Sequence, residues 1–306
     1  MNTFYFGSAL NLSSLYMIAG AGAAISLKSG KLNLGGESQI YAGGFICAVL
    51  LNIFGKSQNF QSLPQLPPLF AIFLAGTAAF CLSGLLSLFC AILQYRKNAD
   101  YLFTTYIVSV ATIPFIDGLI SGPFRSTSDN LLATPFILQK FRFDQILPPS
   151  PLNVSFIFAI IFLVVFYFLI YRTAYGRKLC ILGISSDFAD FSGYNIRFLS
   201  YSSSFISGGL HGLAGAFAVC GTYYTCHSGF YAGMGWNAFS SALMAGSNPL
   251  FLIFSSIFMG FLTTYSNKFA LYNNFSFDMT NLLQGIIIFA ISFVHLKNTK
   301  RGFYDN

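Results

Sequence analysis

Apolar residues fall along this chain in nine long runs separated by short polar stretches. The runs are Ala9 to Leu27, Leu32 to Phe54, Leu69 to Leu93, Tyr101 to Ile120, Val154 to Tyr171, Phe198 to Cys220, Gly229 to Ala245, Leu250 to Tyr265 and Met279 to His295. About 20 apolar residues carry a helix across the hydrocarbon of a bilayer. The pattern therefore predicts an all-α polytopic transmembrane bundle of about nine spans, in a range of eight to ten, forming one domain over residues 1–306. The second and seventh runs are the weakest, because glycine and polar residues break them, and the third is long enough to conceal a break. The longest gaps, Gly55 to Pro68 and Ser121 to Leu152, are rich in Pro, Ser, Gln and Asn and predict turns and extended backbone outside the bilayer.

One polar, basic stretch, about residues 172–197, carries helix signals of its own. Ser185 and Ser186 are capping residues, Asp187 and Asp190 fall where the helix dipole favours acid, and Gly193 suits a left-handed stop. These predict about two turns of helix, from Ser186 to Ser192, lying outside the membrane. Phe188 and Phe191 share one face at i and i+3, with Asp187 and Asp190 on an adjacent face.

Composition agrees with a membrane protein: 55% of residues are hydrophobic, 8% are charged, and mean hydropathy is +0.65. The net charge of +7 does not point to nucleic acid, since the basic residues are scattered among loops with no polar domain to hold a duplex. If the basic stretch faces the cytoplasm, nine alternating spans place 11 of the 16 Lys and Arg inside, among them Lys28, Lys31, Arg96, Lys97, Arg172, Arg177, Lys178 and Arg197. The positive-inside rule then predicts an outside N-terminus and a cytoplasmic C-terminus. The first residues carry no basic side chain and do not look like a signal peptide. Six cysteines without a CxxC pair and three dispersed histidines predict no metal site. Cys220 and Cys226, both near the outer face, are read as small buried hydrophobes, with a disulfide as the alternative.

Candidate chemistry lies in the two weak spans. In GKLNLGGESQIYAGG, Glu37 is the only glutamate, and a carboxylate at bilayer depth costs about 2.5–3.5 kcal/mol. It must face the interior, a wet cavity or the interface, or pair with Lys28, Lys31 or backbone amides. Asn33 and Gln39 add hydrogen-bonding groups, and the glycines allow a discontinuous helix of the kind that lines transport pathways. In GFYAGMGWNAFSSALMAGSNP, the sole tryptophan, Trp236, adjoins Asn237, a pair suited to stacking on and orienting a flat polar solute. Gly208, Gly212 and Gly215 form a small-residue face for close helix packing. His211, within that face, is a candidate for the pathway or for a satisfied hydrogen bond. Asp117 is read as an interface residue.

In order along the chain, SLKSGKLNLGGESQ, QYRKNADYLFTTYIVS, YGRKLCILGISSDFADFSGYNI, SGGLHGLAGA and GMGWNAF through SNP resemble segments of the permease subunits of bacterial ATP-binding-cassette (ABC) importers. The group is the nucleoside and simple-sugar branch, ribose-type and similar to branched-chain amino acid permeases. The first segment resembles S-x-x-S-G-x-x-N-I-G-x-E-G, and the third resembles the cytoplasmic coupling segment. The resemblance covers nearly the whole chain. It implies a non-catalytic permease subunit in the bacterial cytoplasmic membrane that binds no cofactor itself. ATP and Mg²⁺ would sit on a separate cytosolic ATPase, since this chain has no GxxxxGK[ST] loop. It further implies a second permease subunit, identical or different, an extracytoplasmic solute-binding protein and a small-molecule substrate. Coupling residues would be Ser186, Asp187, Phe188, Asp190, Phe191 and Gly193, and pathway residues Asn33, Glu37, His211, Trp236 and Asn237. Purine or related nucleosides are the preferred substrates, with riboflavin and simple sugars as alternatives. There are departures from the pattern: Ser185 and Ser186 stand for Asn-Pro, Phe188 for a small residue, Ala99 and Asp100 for a Glu and its neighbour, and His211 and Asn237 occupy usually apolar positions. An ion-coupled carrier would need a relay of intramembrane ionisable groups, and a membrane enzyme a cluster of them at one face. Neither pattern is visible.

Overall fold

The computed structural model describes residues 3–57, 67–127, 130–273 and 285–286, with backbone alone at residues 56 and 57. Its helices in chain order are α1 (Thr3–Lys28), α2 (Gly36–Ser57), α3 (Pro68–Lys97), α4 (Tyr101–Ser121), α5 (Ser155–Arg172), α6 (Ala174–Ile184), α7 (Ser186–Phe191), α8 (Ile196–Ala218), α9 (Met234–Met244) and α10 (Pro249–Tyr272). Helix starts follow local chemistry. Asp100 accepts from the Leu102 amide at 2.8 Å, Asn195 from Phe198 at 3.0 Å and Asn248 from Leu250 at 3.1 Å, while Pro68 and Pro249 open α3 and α10.

Seven described helices are long and apolar enough to cross a membrane: α1 to α5, α8 and α10. Helices α1, α2 and α8 are mostly buried and form the centre, whereas α3, α4, α5 and α10 turn large apolar side chains such as Phe73, Phe103, Ile161 and Phe254 outward. Predicted span nine lies outside the described residues except for 285–286, as do Lys297, Lys300 and Arg301. Predicted span seven is corrected, because its only helix is α9, 11 residues and about 16 Å long. Left-handed Gly229 and Gly233 keep the preceding stretch in turns. Span two is also shortened at its start: residues 29–35 are not helical, and α2 begins at Gly36.

The bundle has one basic end. The ends of α1, α3 and α5 carry Lys28, Arg96, Lys97 and Arg172, and Gly183 of α6 packs onto the Lys28 carbonyl. The basic stretch read as a loop with one short helix holds two helices. Leu179 and Leu182 of α6 are buried, while Arg177 and Lys178 on its other face hide the apolar pattern in the sequence. At the opposite end, residues 122–127 and 130–154 cover the helix tips. Asn52 donates to the Pro135 carbonyl at 2.9 Å, and Asn153 donates to Asn11 and to the Gly221 carbonyl, both at 2.8 Å. Gly221 belongs to a π-helical turn, Val219–Tyr223, that ends α8.

The small face of α8 is a packing device. A Cβ on Gly208 or Gly212 would strike Ser83 of α3, and one on Gly215 would fall on the Ile40 carbonyl of α2. All six cysteines are free thiols, Cys220 and Cys226 among them, and the Cys220 sulfur lies 3.8 Å from that of Cys47.

Candidate functional site

Two breaks in the helical ladder meet inside the bundle. After π-turn Val219–Tyr223 the chain runs back through turns, with Phe230 packed on Gly44 and Tyr41, and α9 then begins beside the start of α2. A Cβ on Gly235 would lie 2.5 Å from the Glu37 amide nitrogen, and one on Gly36 would lie 3.4 Å from the Gly235 Cα. The two helix N-termini thus almost touch, their positive dipole ends converging on one place. Glu37, in the first turn of α2, occupies it. Its carboxylate accepts from the Gly233 backbone N–H. The Glu37 Oε1 is buried and receives no hydrogen bond from the described residues. Neither lysine considered from the sequence reaches it. Lys28 lies over the Tyr171 ring, and Lys31 donates to the Ser200 hydroxyl between the rings of Tyr95 and Tyr101, 5.2 and 4.9 Å away.

Glu37 shares a narrow cleft of about 10 Å³ with Asn33, Leu34, Gly36, Gly235, Trp236 and Phe239. Trp236 is 45% exposed, so its indole forms the open rim, and a flat solute fits only if the helix starts separate or the ring turns. The remaining predicted pathway residues lie behind this rim. Asn33 has its side chain fully engaged: it donates to Gln39 Oε1 and Ser207 Oγ, both at 3.0 Å, and accepts from the Gly35 amide at 3.0 Å. It holds the break between α1 and α2 in one shape. His211 is buried, its Nδ1 2.8 Å from the Ser207 carbonyl, and is wedged against Gly22 and Gly36. Asn237 donates to the Tyr16 hydroxyl at 3.0 Å, which ties α9 to α1. Glu37 and Trp236 border the cleft, and Asn33, His211 and Asn237 are held by hydrogen bonds and packing around it.

In the sequence Lys31 stands out only as a possible partner for Glu37 and otherwise looks like one more loop cation. Burial without a carboxylate pushes its ammonium down from the ordinary 10.5 to about 8. The unfolded chain keeps that proton to a higher pH, so between pH 8 and 10.5 it binds more protons than the folded one, and stability rises with pH across that window. Thermal unfolding in detergent is expected at higher temperature at pH 9.5 than at pH 7.5. The difference should shrink in Lys31→Met, and an equal difference in both proteins would rule this account out.

At the basic end, α7 stands on the surface. Ser185 Oγ accepts from the Phe188 amide at 3.2 Å, Ser186 donates to Asp187, and Gly193 takes the left-handed turn with φ of 75°. Ala189 is buried near Leu182 and Leu199, while Phe188 and Phe191 are 59% and 94% exposed. Asp187 and Asp190 border an open groove with Asp100 and Asn98 of the α3–α4 turn. Two exposed phenylalanines thus stand on an ordered, acidic helix.

Residues 5–292 match the family described as branched-chain amino acid transport system / permease component. The probable riboflavin import permease protein RfuC of Treponema pallidum (strain Nichols) is 30% identical over 290 residues, 94% of this chain and 74% of that protein. The guanosine ABC transporter permease protein NupP of Bacillus subtilis (strain 168) is 24% identical over 98% of this chain and 86% of its own length. The nucleoside ABC transporter permease protein NupB of Lactococcus lactis subsp. cremoris (strain MG1363) is 21% identical over 84% and 71%. No solved structure matches the chain. With the match running through both helix breaks and α7, and with seven membrane-length helices among the described residues, this multi-pass membrane protein belongs to the branched-chain amino acid transport system permease family.

Proposed function

We infer that this chain is one of two membrane-spanning subunits of an ATP-driven importer in the bacterial cytoplasmic membrane, and that its solute is a purine or related nucleoside. The observation that carries the substrate reading is the unpartnered Glu37 Oε1 on the cleft edged by Trp236. A carboxylate accepts and does not donate, so it suits a ring edge rich in N–H groups. Guanine presents two such groups side by side, and an indole stacks on its face. The names of the guanosine and nucleoside relatives agree with this. Riboflavin is the second reading, favoured by the 30% identity to a probable riboflavin permease. Its ring is also flat and carries one imide N–H.

Energy would come from a separate cytosolic ATPase seated on α7, and solute from an extracytoplasmic binding protein over the 122–154 segment. Arg142 in that segment is already engaged, donating to the Ile137 carbonyl and stacking on Tyr224. A short mechanical route joins the ATPase face to the cleft. Helix α7 packs on α6, Gly183 of α6 rests on Lys28 and Gly30, and residues 29–35 lead through Asn33 to Glu37. Closure of the ATPase pair would push α7, shift the break and part the two helix starts, turning access from one side of the membrane to the other. With the basic end on the ATPase side, the ninth apolar run, Met279 to His295, would return the chain to the cytoplasm.

Glu37→Gln tests the reading in cells that express the complete transporter. Guanosine uptake is expected to fall about 10-fold to 100-fold, the worth of a charge-assisted hydrogen bond, and riboflavin uptake by less, with unchanged amounts of assembled complex. Full guanosine uptake by the variant would remove Glu37 from the pathway.

A further inference from the structure

A second carboxylate stands one helical turn beyond Glu37, toward the end away from the basic residues. Tyr41 follows Glu37 at i+4 on α2, about 6 Å along the helix. Its hydroxyl donates to Asp117 Oδ1 of α4 at 2.5 Å, and the Ser228 hydroxyl donates to the same oxygen at 2.7 Å. Oδ2 receives no hydrogen bond from the described residues. Tyr41 is completely buried, so it positions the carboxylate without reaching a solute; Asp117 is half-buried and Ser228 is exposed. The Tyr231 ring covers Tyr41, centroids 5.0 Å apart, and lies within electrostatic reach of both Asp117 and Glu37. The backbone between Ser228 and Trp236 therefore runs past both carboxylates, with a tyrosine between them.

This arrangement differs from a residue drifting at the membrane interface. A carboxylate held by two donors on one oxygen has its other oxygen fixed in direction and open to a donor from outside. An adjacent aromatic face packs on C–H groups. Together these suit neighbouring hydroxyls on a carbon chain or ring. We propose that Asp117, aimed by Tyr41 and Ser228 and flanked by Tyr231, is a hydroxyl-binding station that holds the ribose or ribityl part of the solute while its flat ring lies toward Glu37 and Trp236. This rests on the nucleoside or riboflavin reading given above. Asp117 is a binding residue in this scheme, and Tyr41 a positioning residue.

The test measures uptake by cells carrying the complete transporter for four solutes: guanosine, 2′,3′-dideoxyguanosine, riboflavin and lumiflavin, which lacks the ribityl chain. Taking the ratio of wild type to variant for each solute cancels its delivery by the binding protein. Asp117→Asn is expected to reduce guanosine and riboflavin uptake about 10-fold to 100-fold and to leave the two hydroxyl-poor solutes within about twofold. Tyr41→Phe should give a smaller loss with the same selectivity, which a merely structural role would not produce. Equal losses for all four solutes, or none, would overturn the station. If Asp117→Asn does not accumulate in the membrane, Ser228→Ala on the exposed side replaces it: a severalfold loss confined to hydroxylated solutes supports the proposal, and no loss overturns it. A wild type that moves neither heterocycle sinks the substrate reading. Ribose then serves as the probe: its loss in Asp117→Asn keeps the station, and its unaltered uptake, or its absence in the wild type too, removes the station as well.

Discussion

Gly215→Leu is expected to leave almost no folded protein in the membrane. A side chain at this position starts on the Ile40 carbonyl and 2.8 Å from the Gly44 amide nitrogen, and both obstacles are α2 backbone. A flexible neighbour can turn aside, but a helix backbone in a close-packed centre cannot. Separating α8 from α2 would also open the close contact of Gly212 with Gly43. A loss above about 4 kcal/mol is expected, against a typical total of about 5–15 kcal/mol. Gel filtration of detergent extracts checks this: the monodisperse peak of the wild type should be replaced by aggregate. Gly118→Leu is the control. Its Cβ would meet nothing within 4 Å, so its peak should survive. A normal peak for Gly215→Leu would show that α2 and α8 do not pack as described.

Phe188→Asp is expected to abolish ATP-driven uptake while leaving the bundle intact. The ring is 59% exposed and contributes little to the fold, since α7 is anchored instead by buried Ala189. At an interface the same ring is an anchor whose loss costs about 2 kcal/mol or more. The new carboxylate would add a third negative charge beside Asp187 and Asp190. Co-purification with the ATPase should fall to background, with unchanged gel-filtration behaviour of the chain alone. Normal complex yield from the variant would refute the contact.

The membrane fold was legible because its signal is long and redundant: runs such as Tyr101 to Ile120 or Val154 to Tyr171 have no soluble alternative, and both are helices. The two weak runs misled in length only. In both, the glycine and polar residues that lowered the signal are the breaks themselves, at residues 29–35 and at Gly229 and Gly233. Helix α6 was missed because its buried stripe is only Leu179 and Leu182 with Gly176. The candidate site was partly readable. Glu37 and Trp236 stand out by rarity, and the structure places them around one cleft. Asp117 is equally rare in its run, but its value depends on Tyr41, 76 positions away, and Ser228, 111 positions away. Spacing within one helix cannot reveal such a meeting. The Glu37 and Tyr41 pair at i and i+4 was the one local clue. Asn11 and Asn153 were passed over for the same reason, since each looks incidental until paired with the other.

The manner in which α7 is held has a consequence for the cost of assembly. A six-residue helix has no stability of its own in water. Here the Ser185 cap, the Gly193 turn and Ala189 near Leu182 and Leu199 keep it formed before any partner arrives. Ordering those residues on contact would forfeit about 1–2 kcal/mol of backbone entropy for each. Because that ordering is completed when the chain folds, two exposed phenylalanine rings can form a firm joint over a small area. Under the importer reading such a joint would transmit a push and not merely tether two proteins, since a segment that folded on contact would yield before it moved its neighbours.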